Sequence, residues 1–222
     1  MQSIATANNL SETAFVTPAN NGYDLRWFTP TVEVDLCGHA TLATAFVLHQ
    51  FDDAPDKLEF HTKSGTLTVI CGADLYRMDF PSRPPRPFEN KPEFAAAIGA
   101  EVTEAYISRD VMLGVANETT VRNLKPDFAA LEALTDGFGV IVTAAGDGEA
   151  DFVSRFFVPK GGVPEDPVTG SAHATLTPFW AARLGKSQMT AHQLSARGGA
   201  VYCTDRGDRV EVAGHARLSR RG

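Results

Sequence analysis

Two short segments of the chain contain residues that could bind a small anion. Gly38-His39-Ala40 and Gly170-Ser171-Ala172 each place a glycine and a small or polar residue at the predicted start of an apolar helix. Up to four backbone N–H groups have no intrahelical acceptor at a helix start, and the helix dipole is positive there, so such an end attracts a carboxylate. An ordinary helix start explains either segment alone equally well, but the same arrangement in two places favours binding.

Acid–base chemistry would require titratable side chains near such an anion site, and the neighbouring segments supply Glu12, Asp35, His39, Glu165, Asp166 and His173. Several have structural alternatives. Ser171 could simply cap its helix, Asp35 could support a turn, and Glu12 by itself is typical of an exposed charge. The six histidines form no H-E-x-x-H motif and no i, i+4 pair, so we expect no metal site.

Both segments belong to a long internal repeat. Residues 26–30 (RWFTP) return as residues 155–159 (RFFVP), and an acidic residue, Asp35 or Asp166, precedes each glycine-initiated helix. A period of about 130 residues is too long for a solenoid and indicates two related lobes. We therefore expect the two helix starts to face each other across a shared cleft.

The pattern along the chain mixes helices with strands and predicts an α/β (α+β) fold. Helices are expected up to Asn9, from Gly38 to about Phe51, near 92–98, over about 127–134 and after Gly170, with strands at 12–17, 23–29, 58–61, 66–71, 75–80, near Ala105, at 111–115 and at 140–143. The proline-rich residues 81–87 resemble a polyproline ligand, but a stiff connector between lobes is the better interpretation.

The composition excludes several classes of function. The chain has 222 residues, 20 Lys plus Arg and 27 Asp plus Glu, and the resulting net charge of −7 argues against a nucleic-acid partner. The one basic cluster, Arg217, Arg220 and Arg221, is interpreted as a solvated tail. No apolar stretch could cross a membrane and no secretory signal is evident, so we expect a cytoplasmic protein. Its three cysteines suggest reduced thiols rather than disulfides.

Three motifs together resemble the PhzF family of phenazine-biosynthesis-like proteins. They are residues 8–15 (NNLSETAF), 35–41 (DLCGHAT) and 165–172 (EDPVTGSA), in the family's order. The resemblance implies the diaminopimelate epimerase fold, with two pseudo-symmetric lobes that each wrap a curved, mostly antiparallel sheet or barrel around a central helix. It also implies a homodimer. We place the lobes at residues 1–86 and 87–222, with a return of the last strand to the first lobe as the alternative.

The resemblance further implies a cofactor-independent isomerase or epimerase that acts on a small carboxylate-bearing metabolite. It assigns proton transfer to Glu12, other polar catalytic positions to His39, Asp166 and Ser171, and substrate binding to Gly38, Ala40, Gly170 and Ala172. A glutamate can accept a proton and then return it, so one carboxylate can serve as base and acid. The residues do not identify the substrate.

The cysteines and the N-terminal segment of this sequence differ from those of the proteins it resembles. Related amino-acid epimerases use two cysteines, one in each lobe, whereas here no cysteine lies between Cys71 and Cys203, so we interpret Cys37 as a small buried residue. Family members usually have some tens of residues before the N-L-S-E-T motif, so we expect the first lobe to lack its opening strands. The alternative function is a catalytically silent protein that binds small carboxylates.

Overall fold

The computed structural model describes residues 1–134 and 136–218 and divides the chain into two compact units. The first unit comprises Met1–Phe80 and the segment from Glu211 onward, and the second comprises Pro81–Val210. Arg220 and Arg221 of the basic tail lie outside the described residues. Within the described ranges, no helix has the length and apolar character needed to span a bilayer.

The first unit is a sheet with one long helix. Its elements are α1 (Gln2–Asn8), β1 (Thr13–Ala19), β2 (Gly22–Phe28), β3 (Glu33–Val34), α2 (Gly38–Phe51), β4 (Lys57–Thr62), β5 (Gly65–Cys71) and β6 (Tyr76–Pro81). The strand order is β1-β2-β4-β5-β6, with β3 on β2. Most pairs are antiparallel, but β2 and β4 are parallel, because α2 forms the crossover between them.

The second unit contains the remaining elements: β7 (Arg86–Pro87), α3 (Pro92–Ile98), β8 (Glu104–Ile107), β9 (Val111–Gly114), α4 (Glu118–Arg122), α5 (Phe128–Ala133), β10 (Val140–Ala145), β11 (Phe152–Val158), a 3-10 turn (Pro159–Gly161), β12 (Val163–Asp166), α6 (Gly170–Leu184), β13 (Gln188–Gln193), β14 (Gly199–Asp205) and β15 (Arg209–Gly214). The strand order is β14-β13-β11-β10-β9-β8-β7, with β12 on β11. The division between units falls within β15.

The internal repeat appears in the structure as the same succession of elements in each unit. In the first unit β2, β3, α2, β4 and β5 follow one another, and in the second unit β11, β12, α6, β13 and β14 do so. The pairing senses agree: antiparallel to the short strand, parallel across the helix crossover, then antiparallel again. The predicted mixed α/β fold with a central helix in each repeat is therefore confirmed.

An arginine–glutamate pair occupies the same place in both repeats. Arg26 on β2 makes two hydrogen bonds of 2.8 and 2.9 Å to Glu33 on β3. Arg155 on β11 makes two of 2.7 and 2.8 Å to Glu165 on β12. Such bidentate pairs fix two planar groups relative to each other, so each short strand is held against its long neighbour.

Strand β11 is buried on both faces, which explains its nearly continuous apolar sequence. Successive side chains on a strand point to opposite faces. Phe152 stacks on Trp180 of α6 with ring centroids 5.6 Å apart. Val153 and Phe157 point the other way into an apolar cluster formed with α3, α4 and α5. The second unit therefore has an inner layer around α6 and an outer layer of short helices.

Helix α6 is buried around most of its circumference, and two of its polar side chains, Trp180 and His173, have hydrogen-bond partners inside the protein. Trp180 donates from Nε1 to the hydroxyl of Thr143 at 3.0 Å. His173 is fully buried, and its Nδ1 lies 2.7 Å from the carbonyl oxygen of Thr169, so Nδ1 carries the hydrogen. Burial lowers the pKa of His173 to about 4. This histidine is a neutral core residue at pH 7.

Most predicted elements match the structure, and the differences have local causes. Strand β1 continues through Pro18 to Ala19, where the sequence predicts an end, because β1 lies at the edge of the described sheet and an edge strand tolerates a residue without an N–H. Helix α4 was not predicted, although Asn117 caps it by accepting from the Thr120 amide at 2.9 Å. Residues 81–87 contain β7, and Arg83 donates its backbone N–H to the carbonyl of Ala174.

The two arginine–glutamate pairs should differ in their effect on stability because they differ in burial. The Arg155 side chain is 11% exposed and that of Arg26 is 47% exposed. Arg155→Met leaves Glu165 as a shielded charge without its partner, so the free energy of unfolding should fall by about 2 to 4 kcal/mol. Arg26→Met should cause only a small fraction of that loss. Urea unfolding of both variants measures this, and equal losses would contradict the prediction.

The buried His173 should make stability fall with acidification. The unfolded chain binds a proton at the ordinary pKa of 6.5, whereas the folded chain does so only at about 4. Between these values the unfolded state binds more protons, so the free energy of unfolding decreases as pH falls from 6.5 to 4. His173→Asn keeps a donor for Thr169 and should flatten this decrease. Urea unfolding of wild type and His173→Asn across this pH range measures the slope, and an unchanged slope in the variant would contradict the prediction.

Candidate functional site

The start of α2 presents backbone amides that have no acceptor within the helix. Cys37 is the N-cap residue in extended conformation, and its side chain makes no capping hydrogen bond. The first helical hydrogen bond runs from the Thr41 amide to the Cys37 carbonyl at 3.2 Å. The amides of Gly38, His39 and Ala40 precede that bond, so they point out of the helix end where the dipole is positive.

Glu12 and His39 lie side by side at this helix start. Glu12 comes from the segment between α1 and β1, and its Oε2 is 3.0 Å from His39 Nε2. The side chains of Glu12 and His39 are only 11% and 22% exposed. Oε2 is buried and accepts no hydrogen bond of good geometry, so the ring approaches it closely without an aligned hydrogen bond. An oxygen that is not held by backbone donors is available to take a proton.

Cys37 completes this group. Its Sγ lies 3.8 Å from Nδ1 and 3.9 Å from Nε2 of His39, and the residue is 5% exposed. The ligand atoms of Glu12, Cys37 and His39 all lie within 4.8 Å of one another. Cys37 is buried, as the sequence predicts, but it is buried against the imidazole and carboxylate rather than among apolar side chains alone.

In the second unit, the turn before α6 is held by a compact hydrogen-bond network. The Thr169 hydroxyl donates to Asp166 Oδ2 at 2.6 Å, and the Thr169 amide donates to Gln193 Oε1 at 2.8 Å. Gln193 Nε2 donates to the Asp166 carbonyl at 2.7 Å. Asp166, Thr169 and Gln193 are all buried. Because each donor has a defined acceptor, the Asp166 carboxylate is fixed in orientation.

The start of α6 repeats the geometry found at α2. Thr169 is the N-cap in extended conformation and makes no side-chain capping bond to the helix. The first helical hydrogen bond joins the His173 amide to the Thr169 carbonyl, so the amides of Gly170, Ser171 and Ala172 precede it. All three are buried. Ser171 is therefore within the first turn and is not the cap residue.

The register of the paired strands shows which residues of the two repeats are equivalent, and the equivalent of Asp166 is not Asp35. Phe28 is opposite Glu33 as Phe157 is opposite Glu165, and the next pairs place Val34 opposite Trp27 and Asp166 opposite Phe156. The equivalent of Asp166 is thus Val34. Asp35 is exposed, and its carbonyl accepts from Ser64 as the Pro167 carbonyl accepts from Ser195. The turn role considered for Asp35 is consistent with this position.

The structure thus groups the predicted site residues by unit. Glu12, Gly38, His39 and Ala40 meet in the first unit, and Asp166, Gly170, Ser171 and Ala172 meet in the second. Glu165 is paired with Arg155, and the neutral His173 is enclosed in the core. Sequence reasoning missed Thr169 and Gln193. The position of Thr169 in the E-D-P-V-T-G-S-A motif was a usable signal, whereas Gln193 lies 24 residues beyond Thr169 and had none.

Comparison with known proteins identifies the family of this chain. All 222 residues match the model of a family described as PhzC-PhzF, phenazine biosynthesis-like protein. An uncharacterized isomerase of Pseudomonas aeruginosa is 51% identical over 219 residues, covering 98% of this chain and 84% of the relative. The human phenazine biosynthesis-like domain-containing protein is 40% identical, covering 97% of this chain and 84% of that protein.

Solved structures show the same similarity in three dimensions. A PhzF-family phenazine biosynthesis protein from Enterococcus faecalis superposes with a TM-score of 0.95 at 49% identity, covering 99% of this chain and 84% of that structure. A probable proline racemase from Agrobacterium radiobacter shares the fold alone, with a TM-score of 0.59 at 10% identity, covering 94% of this chain and 76% of that structure. With a family match over its whole length and relatives of this identity, the chain belongs to the PhzC-PhzF family of phenazine biosynthesis-like proteins.

Proposed function

We propose that the protein is an isomerase that moves a proton between carbon atoms of a small carboxylate-bearing metabolite, with Glu12 as the base and then the acid. The observation that carries this proposal is the position of Glu12: its shielded Oε2 is 3.0 Å from His39 Nε2 at the start of α2. A carboxylate, an imidazole and the amides of a helix start in one place form the set needed to bind an acid and ionise a neighbouring C–H bond.

In the proposed reaction, Oε2 of Glu12 takes a proton from a carbon of the substrate. The electron pair of that C–H bond enters the adjacent π system, a double bond shifts, and Glu12 returns the proton to another carbon. No electrons leave the substrate, so the chemistry requires no redox partner, and we propose that it requires no cofactor. His39, Asp166 and Ser171 would hydrogen-bond polar groups of the substrate on which negative charge accumulates.

Substrate binding is proposed to use the amides at the helix starts. Gly38 and Ala40 in the first unit, and Gly170 and Ala172 in the second, have small side chains that leave room for a carboxylate to approach the backbone. Helix dipoles add a favourable field for the anion. The names of the relatives as isomerases support the reaction class. A cytoplasmic location and a homodimer remain predictions.

Replacing the proposed base should remove catalysis while preserving shape. Glu12→Gln keeps the size and polarity of the side chain but cannot accept the proton, so exchange of a substrate C–H with solvent should fall by about 10² to 10⁴-fold. The measurement is deuterium incorporation from heavy water into a panel of small carboxylic acids, followed by mass spectrometry. Glu132→Gln changes an exposed glutamate on α5 and should exchange at the wild-type rate.

The same experiment separates catalysis from simple binding. Calorimetry first identifies which acids of the panel bind. If wild-type protein binds an acid without exchanging any of its C–H hydrogens, the chain is a small-carboxylate-binding protein. If Glu12→Gln exchanges hydrogen as fast as wild type, Glu12 is not the base.

The Ser171 hydroxyl should contribute to binding of the anion. A hydrogen bond to a charged group contributes about 1.5 to 3 kcal/mol, so Ser171→Ala should weaken binding of the carboxylate by roughly 10 to 100-fold. Calorimetric titration with the best acid of the panel measures the dissociation constant. Ser187→Ala, at an exposed position after α6, should bind as wild type does. An unchanged constant in Ser171→Ala would exclude the hydroxyl from the binding site.

A further inference from the structure

The group of Glu12, Cys37 and His39 has a property that proton transfer does not require. Each of the three side chains offers one metal-ligating atom, and these atoms lie within 4.8 Å of one another. A carboxylate–imidazole pair is sufficient for acid–base catalysis. The thiol at 3.9 Å from Nε2 adds a third donor of a kind that selects particular metal ions.

The distances approach those of a tetrahedral metal site. Zinc binds nitrogen and oxygen at about 2.0 to 2.2 Å and sulfur at about 2.3 Å, so neighbouring ligands in a tetrahedron are about 3.3 to 3.7 Å apart. Here Nε2 of His39 is 3.0 Å from Oε2 of Glu12 and 3.9 Å from Sγ of Cys37. Both values lie within a few tenths of an ångström of that range, and the third pair, Oε2 of Glu12 and Sγ of Cys37, lies within 4.8 Å.

We propose that Glu12, Cys37 and His39 bind one zinc ion, and that zinc bound there inhibits the enzyme. Metal binding would use the Glu12 oxygen and the His39 nitrogen, so neither could take part in proton transfer. The zinc site stands on geometry and donor chemistry alone. The inhibition rests on the proposed function.

Charge supports a divalent cation despite the position of the site at a helix start. The helix dipole is positive there and opposes a cation. Two of the three ligands bind as anions, a carboxylate and a thiolate, and together they balance the two positive charges of zinc. The low exposure of the three side chains, at 5 to 22%, weakens screening by water and strengthens that attraction.

The donor set also determines which metals should bind. Magnesium prefers octahedral oxygen ligands and retains several waters, so a thiol–imidazole–carboxylate group suits it poorly. Zinc and cobalt accept sulfur and nitrogen in tetrahedral geometry. The other two cysteines are weaker competitors, since burial raises the pKa of Cys71 to about 11 and that of Cys203 to about 12.

Zinc binding by the metal-depleted chain tests the proposal directly. Competition with a chromophoric chelator should show one zinc per chain and no competition by magnesium. Loss of an outer-sphere partner commonly weakens metal sites by about 10 to 100-fold, so loss of a ligand in Cys37→Ser or His39→Asn should weaken zinc binding by at least about 100-fold. Cobalt should give a thiolate charge-transfer absorption that disappears in Cys37→Ser.

Two control variants isolate the site. Cys71→Ser removes a buried thiol elsewhere and should bind zinc as wild type does. His49→Asn removes a histidine whose Nε2 lies 3.1 Å from the carboxylate of Asp56, in a pair that contains no thiol. This variant should also bind zinc as wild type does. Circular dichroism confirms that each variant is folded. If wild type binds no zinc, or if Cys37→Ser and His39→Asn retain wild-type affinity, the proposal is wrong.

The zinc site and the proposed isomerase can fail separately. Zinc titration needs no substrate, so its result stands whether or not Glu12→Gln affects C–H exchange. Where exchange is measurable in wild type, saturating zinc should abolish it, and removal of zinc by a chelator should restore it. Full exchange by zinc-saturated protein would disprove the inhibition while leaving the binding site intact.

Discussion

The candidate site depends on one constraint, which is that each long helix must begin immediately after a short strand leaves the sheet. In both units a bidentate arginine–glutamate pair holds that short strand: Arg26 with Glu33, and Arg155 with Glu165. A serine hydroxyl fixes the following turn by donating a hydrogen bond to a backbone carbonyl. Ser64 donates to the carbonyl of Asp35 in the first unit, and Ser195 donates to that of Pro167 in the second. The amides at the helix start are therefore rigidly placed before any ligand arrives, which reduces the entropy lost on binding.

The two units keep this backbone arrangement but differ in the side chains placed on it. By register, Val34 corresponds to Asp166, and by position at the helix start Cys37 corresponds to Thr169 and His39 to Ser171. The shared part, amides at a helix start, can recognise only a feature common to many metabolites, such as a carboxylate. The differing part determines chemistry: the first unit has a carboxylate, an imidazole and a thiol, whereas the second has an oriented aspartate and a hydroxyl.

Much of this could be predicted from the sequence, because strong local signals determine the elements involved. Gly38 and Phe51 bound α2 as predicted, and the repeated RWFTP and RFFVP segments revealed the repeat. The similarity of Asp35 to Asp166 was misleading: Asp35 lies three residues before Gly38 and Asp166 lies four residues before Gly170, and the strand register accordingly makes Val34 the equivalent of Asp166. The buried Gln193 and the contact of Cys37 with His39 also depend on tertiary packing, and no local pattern indicates them.

The proximity of Cys37 to Glu12 and His39 connects the proposed acid–base role with the proposed metal site. A base must be shielded from water yet keep an oxygen that backbone donors do not occupy, and Oε2 of Glu12 meets both conditions. The same conditions describe a good metal ligand, because a shielded and unoccupied oxygen loses little hydration on coordination. With an imidazole already 3.0 Å away, one thiol at the N-cap is enough to complete a three-ligand set. Since α2 fixes the backbone of both Cys37 and His39, the geometry that positions the imidazole for the proposed catalysis also positions the sulfur for the proposed metal.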